Sequence, residues 1–360
     1  MTTDPHLEAL QARIRAAADK AAPLRVRGGG TKDFYGASLA GDAVVTQVYA
    51  GIVEYEPTEL VITARAGTSL AAIERAMRAR GQMLGFEPPH FADGGTLGGA
   101  IASGLAGPRR PYAGAARDFV LGVRVLDGVG QDLTFGGRVM KNVAGFDVAR
   151  LMTGALGTLG IITEVSLKCL PLPKAEATLA FECSADQAIR MTNEWGGQPL
   201  PLSGTCYQGG RLHVRLSGAP SAVSAATARM GGRVVDDADA FWFSVRDHQH
   251  AFFAPSLAGG KTLWRLSVKS TAPYTDLGGE QLIEWGGGLR WLVAGDTVNV
   301  PKLRTWAAAQ GGHATLFRGA GKDVPVFHPL DATLTALHRR LKAVFDPHGI
   351  LNPGRMLAEA

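Results

Sequence analysis

Arg27-Gly28-Gly29-Gly30-Thr31-Lys32, Gly94-Gly95-Thr96-Leu97-Gly98-Gly99-Ala100 and Gly154-Ala155-Leu156-Gly157-Thr158-Leu159-Gly160 decide how this chain is read. Glycine has no Cβ, so successive N–H groups in such a loop can converge on one anion. A single loop of this kind is an ordinary tight turn. Two of them, with a third beside an apolar strand, point to a large ligand with a diphosphate in its middle.

Two familiar phosphate motifs fail on spacing. A dinucleotide fingerprint needs G-x-G-x-x-G between a strand and a helix. Gly28-x-Gly30 supplies the first half, but the third position is Asp33, and Phe34-Tyr35-Gly36 does not open a helix. Gly260-Lys261-Thr262 imitates a P-loop, yet Pro255 stands where the first glycine belongs. Leu263-Trp264-Arg265-Leu266 then reads as a strand, whereas a P-loop runs into a helix. Lys261 reads as an ordinary turn lysine.

Length and composition set the outer bounds. At 360 residues, 46% apolar and 19% charged, the chain can form two domains with a substantial core. Its 47 glycines cluster instead of repeating, which marks loops with a task. A formal charge of +5 suits an anionic ligand or an acidic partner. No dense Lys/Arg block indicates nucleic acid; Arg109-Arg110 is only a pair. The polar start Met1-Thr2-Thr3-Asp4-Pro5-His6 lacks the apolar core of a secretory signal. No apolar run nears the roughly 18 residues of a membrane span. The expectation is a cytoplasmic protein. Cys169, Cys183 and Cys206 are isolated, which argues against an iron–sulfur cluster, a zinc site or a disulfide framework and for free, partly buried thiols.

Working outward from the loops, residues 7–22 read as a helix and 24–26 as a strand entering the first loop. Strands follow at 43–48 and 60–66, then a helix through Arg80. Residues 120–126 and 132–135 flank Asp127-Gly128-Val129-Gly130 as a hairpin. Residues 146–152 read as a helix and 159–167 as a strand, with Pro171 and Pro173 closing the first domain. Beyond it, strand-like runs at 177–181, 212–216, 263–268 and 289–293 alternate with helix-like runs at 185–195, 219–230 and 301–310. This texture is that of a smaller α+β domain. All six tryptophans lie there, either as core or as partner-facing anchors. Residues 328–345 read as a last helix.

Four segments and the tail recur in a fixed order. They are the first loop, Gly94 through Ser103, Gly114-Ala115-Ala116-Arg117-Asp118, Gly157-Thr158-Leu159-Gly160-Ile161-Ile162-Thr163-Glu164, and Phe345-Asp346-Pro347-His348-Gly349-Ile350-Leu351-Asn352-Pro353-Gly354-Arg355. In them the chain resembles the FAD-binding domain shared by vanillyl-alcohol oxidase and p-cresol methylhydroxylase relatives. Within that group it resembles the D-lactate dehydrogenase and glycolate oxidase branch, and most closely the FAD-binding E subunits of bacterial glycolate oxidases. The likeness covers residues 24–171 and 340–357, and Gly311-Gly312-His313-Ala314-Thr315-Leu316 shares it.

The resemblance implies an α+β fold: a two-part FAD-binding domain over 1–173, a reduced cap over 174–327, and a helix and tail over 328–360 that return to the FAD domain. It implies that Gly28, Gly29, Gly30 and Thr31, with Gly94, Thr96, Leu97, Gly98 and Gly99, grip the FAD diphosphate through backbone N–H groups. Ser103, Gly104, Arg117 and Asp118 correspond to positions lining the cofactor. Gly157, Gly160, Ile161 and Ile162 would pass beside its planar parts, although Ile161 and Ile162 also suit a core strand. Covalent members carry a histidine in the first loop; Thr31-Lys32 stands there, implying non-covalent FAD. The implied partners are a second flavoprotein subunit and an iron–sulfur subunit, with a small 2-hydroxy acid as substrate of the complex. Membrane contact would come only through those partners.

The histidine-rich substrate or metal motif of catalytic relatives is not found. His248-Gln249-His250 has strand spacing but no acidic neighbours, and His313 stands alone. No catalytic residue and no metal ligand is assigned. Three functions remain open: an electron-transferring flavin subunit, a self-sufficient flavin dehydrogenase, and a scaffold with a structural flavin.

Overall fold

The computed structural model describes residues 4–37, 40–137, 147–295, 298–319 and 324–357. Met1-Thr2-Thr3, and Phe146 at the head of the expected 146–152 helix, lie outside the described residues. The chain divides into two compact units. One comprises Met1–Leu105, Ala115–Pro171 and Pro329–Ala360; the other comprises Ala106–Gly114 and Leu172–His328.

In the first unit, Asp4 accepts a hydrogen bond from His6 N at 3.0 Å and caps α1 (Pro5–Ala18), with proline in its first turn. Leu7, Ile14 and Ala17 form its buried face. β1 (Leu24–Arg27) pairs in parallel with β2 (Asp42–Val45). The other edge of β1 is taken by the C-terminal tail: Leu24 N donates to Ile350 O at 2.7 Å, and Asn352 N donates to Leu24 O at 3.0 Å. Leu7, Ile14, Leu24, Val44, Leu126, Ile161, Ile350 and Leu351 close one core around this junction.

The remaining strands of the unit are β3 (Ile52–Glu56), β4 (Val61–Arg65), β5 (Gln82–Met83), β6 (Val120–Leu126), β7 (Asp132–Gly136), β8 (Ile161–Lys168) and β9 (Leu170–Pro171). Among the described residues, five of them form an antiparallel sheet in the order β3-β4-β8-β6-β7, and β5 pairs with β9. The β6–β7 hairpin is held at its turn by Asp127, whose Oδ1 accepts from Val129 N and Gln131 N. Two helices matter for the site: α2 (Leu70–Arg78), capped by Ser69, and α3 (Leu97–Ser103), capped by Thr96. The last helix spans Ala332–Phe345 rather than 328–345, because Asp331 is its N-cap and accepts from Leu334 N at 2.8 Å.

The second unit is an antiparallel eight-stranded sheet among the described residues. Its strands are β10 (Ala175–Glu182), β11 (Leu202–Gln208), β12 (Arg211–Gly218), β13 (Arg233–Val234), β14 (Thr262–Ser267), β15 (Glu280–Glu284), β16 (Leu289–Ala294) and β17 (His313–Arg318). Their order is β13-β10-β12-β11-β15-β16-β14-β17. Helices Ala185–Gly196, Pro220–Met230 and Val300–Ala309 cover two apolar clusters. The segment 106–114 belongs here rather than with the first domain. Arg109 Nη2 pairs with Glu176 Oε1 at 2.8 Å, and Gly107 O accepts from Trp285 Nε1 at 3.1 Å.

Core packing accounts for the tryptophans. Trp242, Trp264, Trp285 and Trp291 are buried, and the half-buried Trp195 and Trp306 pack on the two clusters. His248-Gln249-His250 is a turn after helix Ala238–Arg246, not a strand. His248 stacks on Phe253 with centroids 3.9 Å apart, and His250 Nδ1 accepts from Phe252 N. Lys261 is an exposed turn residue ahead of β14. Cys169 and Cys206 are buried, Cys183 is half-buried, and all three are free thiols. Among the described residues no helix is long and apolar enough to cross a membrane, and no group of His, Cys, Asp and Glu could hold a metal ion.

Candidate functional site

The first glycine loop continues directly from β1. Thr46 N donates to Arg27 O at 2.8 Å, which ends the ladder; Gly30 then turns with φ +78°. Arg27 Nε meets Asp33 Oδ2 at 2.6 Å across the loop. The Arg27 guanidinium lies so close to Gly30 that a Cβ there would overlap it. Among the described residues, the N–H groups of Gly28, Gly29, Gly30 and Thr31 donate to no protein acceptor.

The second loop sits against the first. A Cβ on Gly29 would overlap the Gly94 carbonyl oxygen, and one on Gly28 would overlap Thr96 Oγ1. Gly94 turns with φ +87°, a region that disfavours side chains. Leu70 N donates to Gly95 O at 2.9 Å, fixing the loop to the start of α2. The N–H groups of Gly94, Gly95 and Thr96 also have no protein acceptor among the described residues, although Gly95 and Thr96 are buried. Buried N–H groups are nearly always paired, so those of Gly95 and Thr96 call for an acceptor that the protein does not supply. Two abutting loops thus present seven uncommitted donors, a set suited to an anion with several oxygens.

Three expected donors are corrected. Leu97 N donates to Thr68 O at 2.9 Å, Gly98 N to Ala66 O at 2.8 Å, and Gly99 N to Thr96 Oγ1 at 3.2 Å. These groups seat and cap α3, so they are already spent within the protein. Gly98 is small because a Cβ would come within 2.7 Å of Ala66 Cβ.

The other expected residues divide by role. Ser103 is buried and its hydroxyl donates to Ala100 O at 3.0 Å within α3. Gly104 ends that helix at φ +62°. A Cβ there would come within 3.0 Å of Gly154 Cα, so its smallness serves the contact with the third glycine segment. Asp118 is exposed and its carboxylate accepts from Ala115 N at 2.8 Å, capping a one-turn helix. Arg117 is exposed and lines a cavity of about 790 Å³ with Arg150, Thr153, Thr158, Lys342 and Arg355. Thr153 Oγ1 is buried there without a partner among the described residues. Gly160 lies against β6, where a Cβ would come within 3.1 Å of Leu126 O. Ile161 and Ile162 are buried in β8, and Ile161 belongs to the core cluster, so the core-strand reading describes them.

Sequence reading missed the clamp behind the first loop. Asn352 Oδ1 accepts from Val26 N at 2.7 Å, and Asn352 Nδ2 donates to Leu156 O at 2.6 Å. One buried side chain thereby ties β1, the third glycine segment and the tail together. Gly157 must be small, since a Cβ would come within 2.8 Å of Asn352 Nδ2. Lys342 Nζ donates to Thr158 O and Leu351 O at 2.9 and 2.7 Å. Arg355 is buried and donates to Ala37 O at 2.8 Å and Asp33 O at 3.1 Å, gripping the chain just after the first loop. Burial lowers its pKa, with Asp33 opposing the shift. The Asn352-Pro353-Gly354-Arg355 motif was the available signal, but its targets lie about two hundred to over three hundred positions earlier.

Comparisons with known proteins agree with this geometry. Residues 5–136 match the FAD binding domain model, and residues 327–356 match the C-terminal domain model of FAD linked oxidases. The chain is 48% identical over 352 residues to glycolate oxidase subunit GlcE of Escherichia coli K12, covering 98% of this chain and 97% of that one. It is 34% identical over 128 residues to glycolate oxidase subunit GlcD of Bacillus subtilis, covering 36% of this chain and 27% of that one. It also matches mitochondrial D-2-hydroxyglutarate dehydrogenase of Bos taurus at 26% identity, over 92% of this chain and 72% of that one. The solved structure of alkyldihydroxyacetonephosphate synthase shares the fold, with a TM-score of 0.66 at 15% identity over 96% of this chain and 74% of that one. With both chains aligned over almost their whole length, this chain belongs to the family of the glycolate oxidase subunit GlcE, on the fold of the FAD linked oxidases.

Proposed function

We propose that this chain is the FAD-binding subunit of a glycolate oxidase complex that oxidises a small 2-hydroxy acid. The observation that carries the reading is the pair of abutting loops with seven uncommitted N–H groups. In this reading Gly28 to Thr31 and Gly94 to Thr96 hold the FAD diphosphate. Charge-assisted bonds to such oxygens are stronger than neutral ones. The donors are fixed in advance, because Asn352, Arg355 and the α3 cap hold the backbone that carries them. Little ordering is then left for binding to pay for.

Bound FAD supplies an acceptor for electrons taken from an alcohol carbon. The chain's own part is to bind and orient it. The histidines of the second unit give no reason to place a base there. Burial holds the folded His213 pKa at about 4 and lowers that of His248, which makes both weak proton acceptors, and both pack against aromatic rings. Oxidation of substrate is accordingly assigned to a second flavoprotein subunit, and onward electron transfer to an iron–sulfur subunit. FAD is held non-covalently, since Thr31-Lys32 occupies the loop position of the attaching histidine.

The purified chain tests this. It should be yellow, bleach with dithionite and release its flavin on acid precipitation. Alone it should oxidise neither glycolate nor lactate with an artificial acceptor, whereas the assembled complex should. A folded but colourless chain would defeat the flavin assignment, and turnover by the chain alone would favour a self-sufficient dehydrogenase.

A further inference from the structure

Helix Ala332–Phe345 buries none of its 14 residues, although it is firmly placed. Asp331 caps it, and Lys342 anchors it to Thr158 O and Leu351 O. Leu334, Leu337 and Val344 are 43, 51 and 74% exposed, and Leu341 is half-buried between them. Positions 334, 337, 341 and 344 follow the three-four spacing of a helix-pairing seam. A stripe of this kind on an anchored helix fits a partner helix; scattered exposed leucines would not align so.

The polar residues select the partner. Within Ala332–Phe345 there is no carboxylate, while Arg339 and Arg340 are exposed and His338 is half-buried. A second copy of the same helix would offer no carboxylate to meet Arg340, so self-pairing gains no ion pair along the seam. A lipid surface suits a broad face with bulky aromatics and outward lysines. Here the stripe is narrow and aliphatic, and the one lysine turns inward to backbone carbonyls.

We infer that this helix is the docking seat for an amphipathic helix of another subunit, with leucine-like residues along its seam and acidic residues on its flanks. This rests on the multi-subunit reading above and adds the surface and the chemistry of its occupant. The test is co-expression of the tagged full-length chain with the second flavoprotein subunit and the iron–sulfur subunit of its complex. Leu337→Glu and Arg340→Glu should each lower recovery of the other subunits at least about tenfold, with FAD per chain unchanged. Both positions are exposed, so retained FAD reports an intact fold. Undiminished recovery with both variants would overturn the seat while leaving the complex intact. Failure of the wild-type chain to recover either subunit would overturn the multi-subunit reading itself, and the seat with it. Two other outcomes also overturn it. One is self-association of the isolated chain that Leu337→Glu abolishes. The other is binding to phosphatidylglycerol vesicles that Leu337→Glu abolishes while subunit recovery stays intact.

Discussion

Gly29 and Asn352 carry the site at the scale of single residues. Gly29→Ala would press a methyl group into the Gly94 carbonyl, so the two loops must part. The variant should fold, as judged by circular dichroism, yet purify with at least about tenfold less FAD, because misaimed charge-assisted bonds lose most of their strength. Asn352→Ala should act differently. It strands Val26 N and Leu156 O, two groups that Asn352 now satisfies, at a cost of about 2–4 kcal/mol. It also gives up one of the few non-glycine residues that tolerate φ +44°. Thermal melting should show that loss even in the flavin-free protein. The glycines were legible because a lost Cβ leaves a mark in the sequence itself. Asn352 was visible only as part of a family motif. Its role depends on Leu24 to Val26, Leu156 and the tail meeting in space, which no local pattern encodes.

At the scale of elements, α3 shows how a helix start can look like a phosphate site and be partly used up. Thr68 O and Ala66 O take its first donors, and those acceptors come from the β4–α2 connection. Gly98→Ala should unseat it against Ala66 and cost about 1–3 kcal/mol by overpacking. Thr96→Ala should cost about 1 kcal/mol through the lost cap. Both are measurable by denaturant titration. The hairpin of β6 and β7 was legible from alternation and its Asp-Gly turn, and most helices from periodicity. β11 was not. Its Leu202-Ser203-Gly204-Thr205-Cys206 reads as polar, yet all five residues are buried. Their polar atoms are satisfied from elsewhere: Thr205 Oγ1 accepts from Gly286 N at 2.8 Å, and Arg215 Nε donates to Ser203 Oγ at 3.1 Å. Hydrophobicity alone does not reveal a strand whose polar groups are paired internally.

Across the whole molecule, acid should find the second unit first. Burial, then Arg211 and His250, hold the folded His213 pKa at about 4, below its ordinary 6.5. The unfolded chain therefore takes up a proton that the folded one refuses. Stability is full above about pH 6.5 and falls as pH drops toward about 4. His248, buried and likewise lowered, acts in the same direction. All six tryptophans lie in this unit, so their fluorescence reports it selectively. His213→Gln should shift the acid transition to lower pH by that signal. The segment 106–114 was not legible as part of this unit, because its ion pair and its tryptophan contact reach far along the chain. The central claim is that two glycine loops hold a diphosphate, and ligand comparison tests it most directly. The flavin-free chain should be titrated with FAD and with riboflavin, which carries the same ring system without phosphates. Losing several charge-assisted bonds should weaken riboflavin by at least about a hundredfold. Equal affinity for the two would contradict the account.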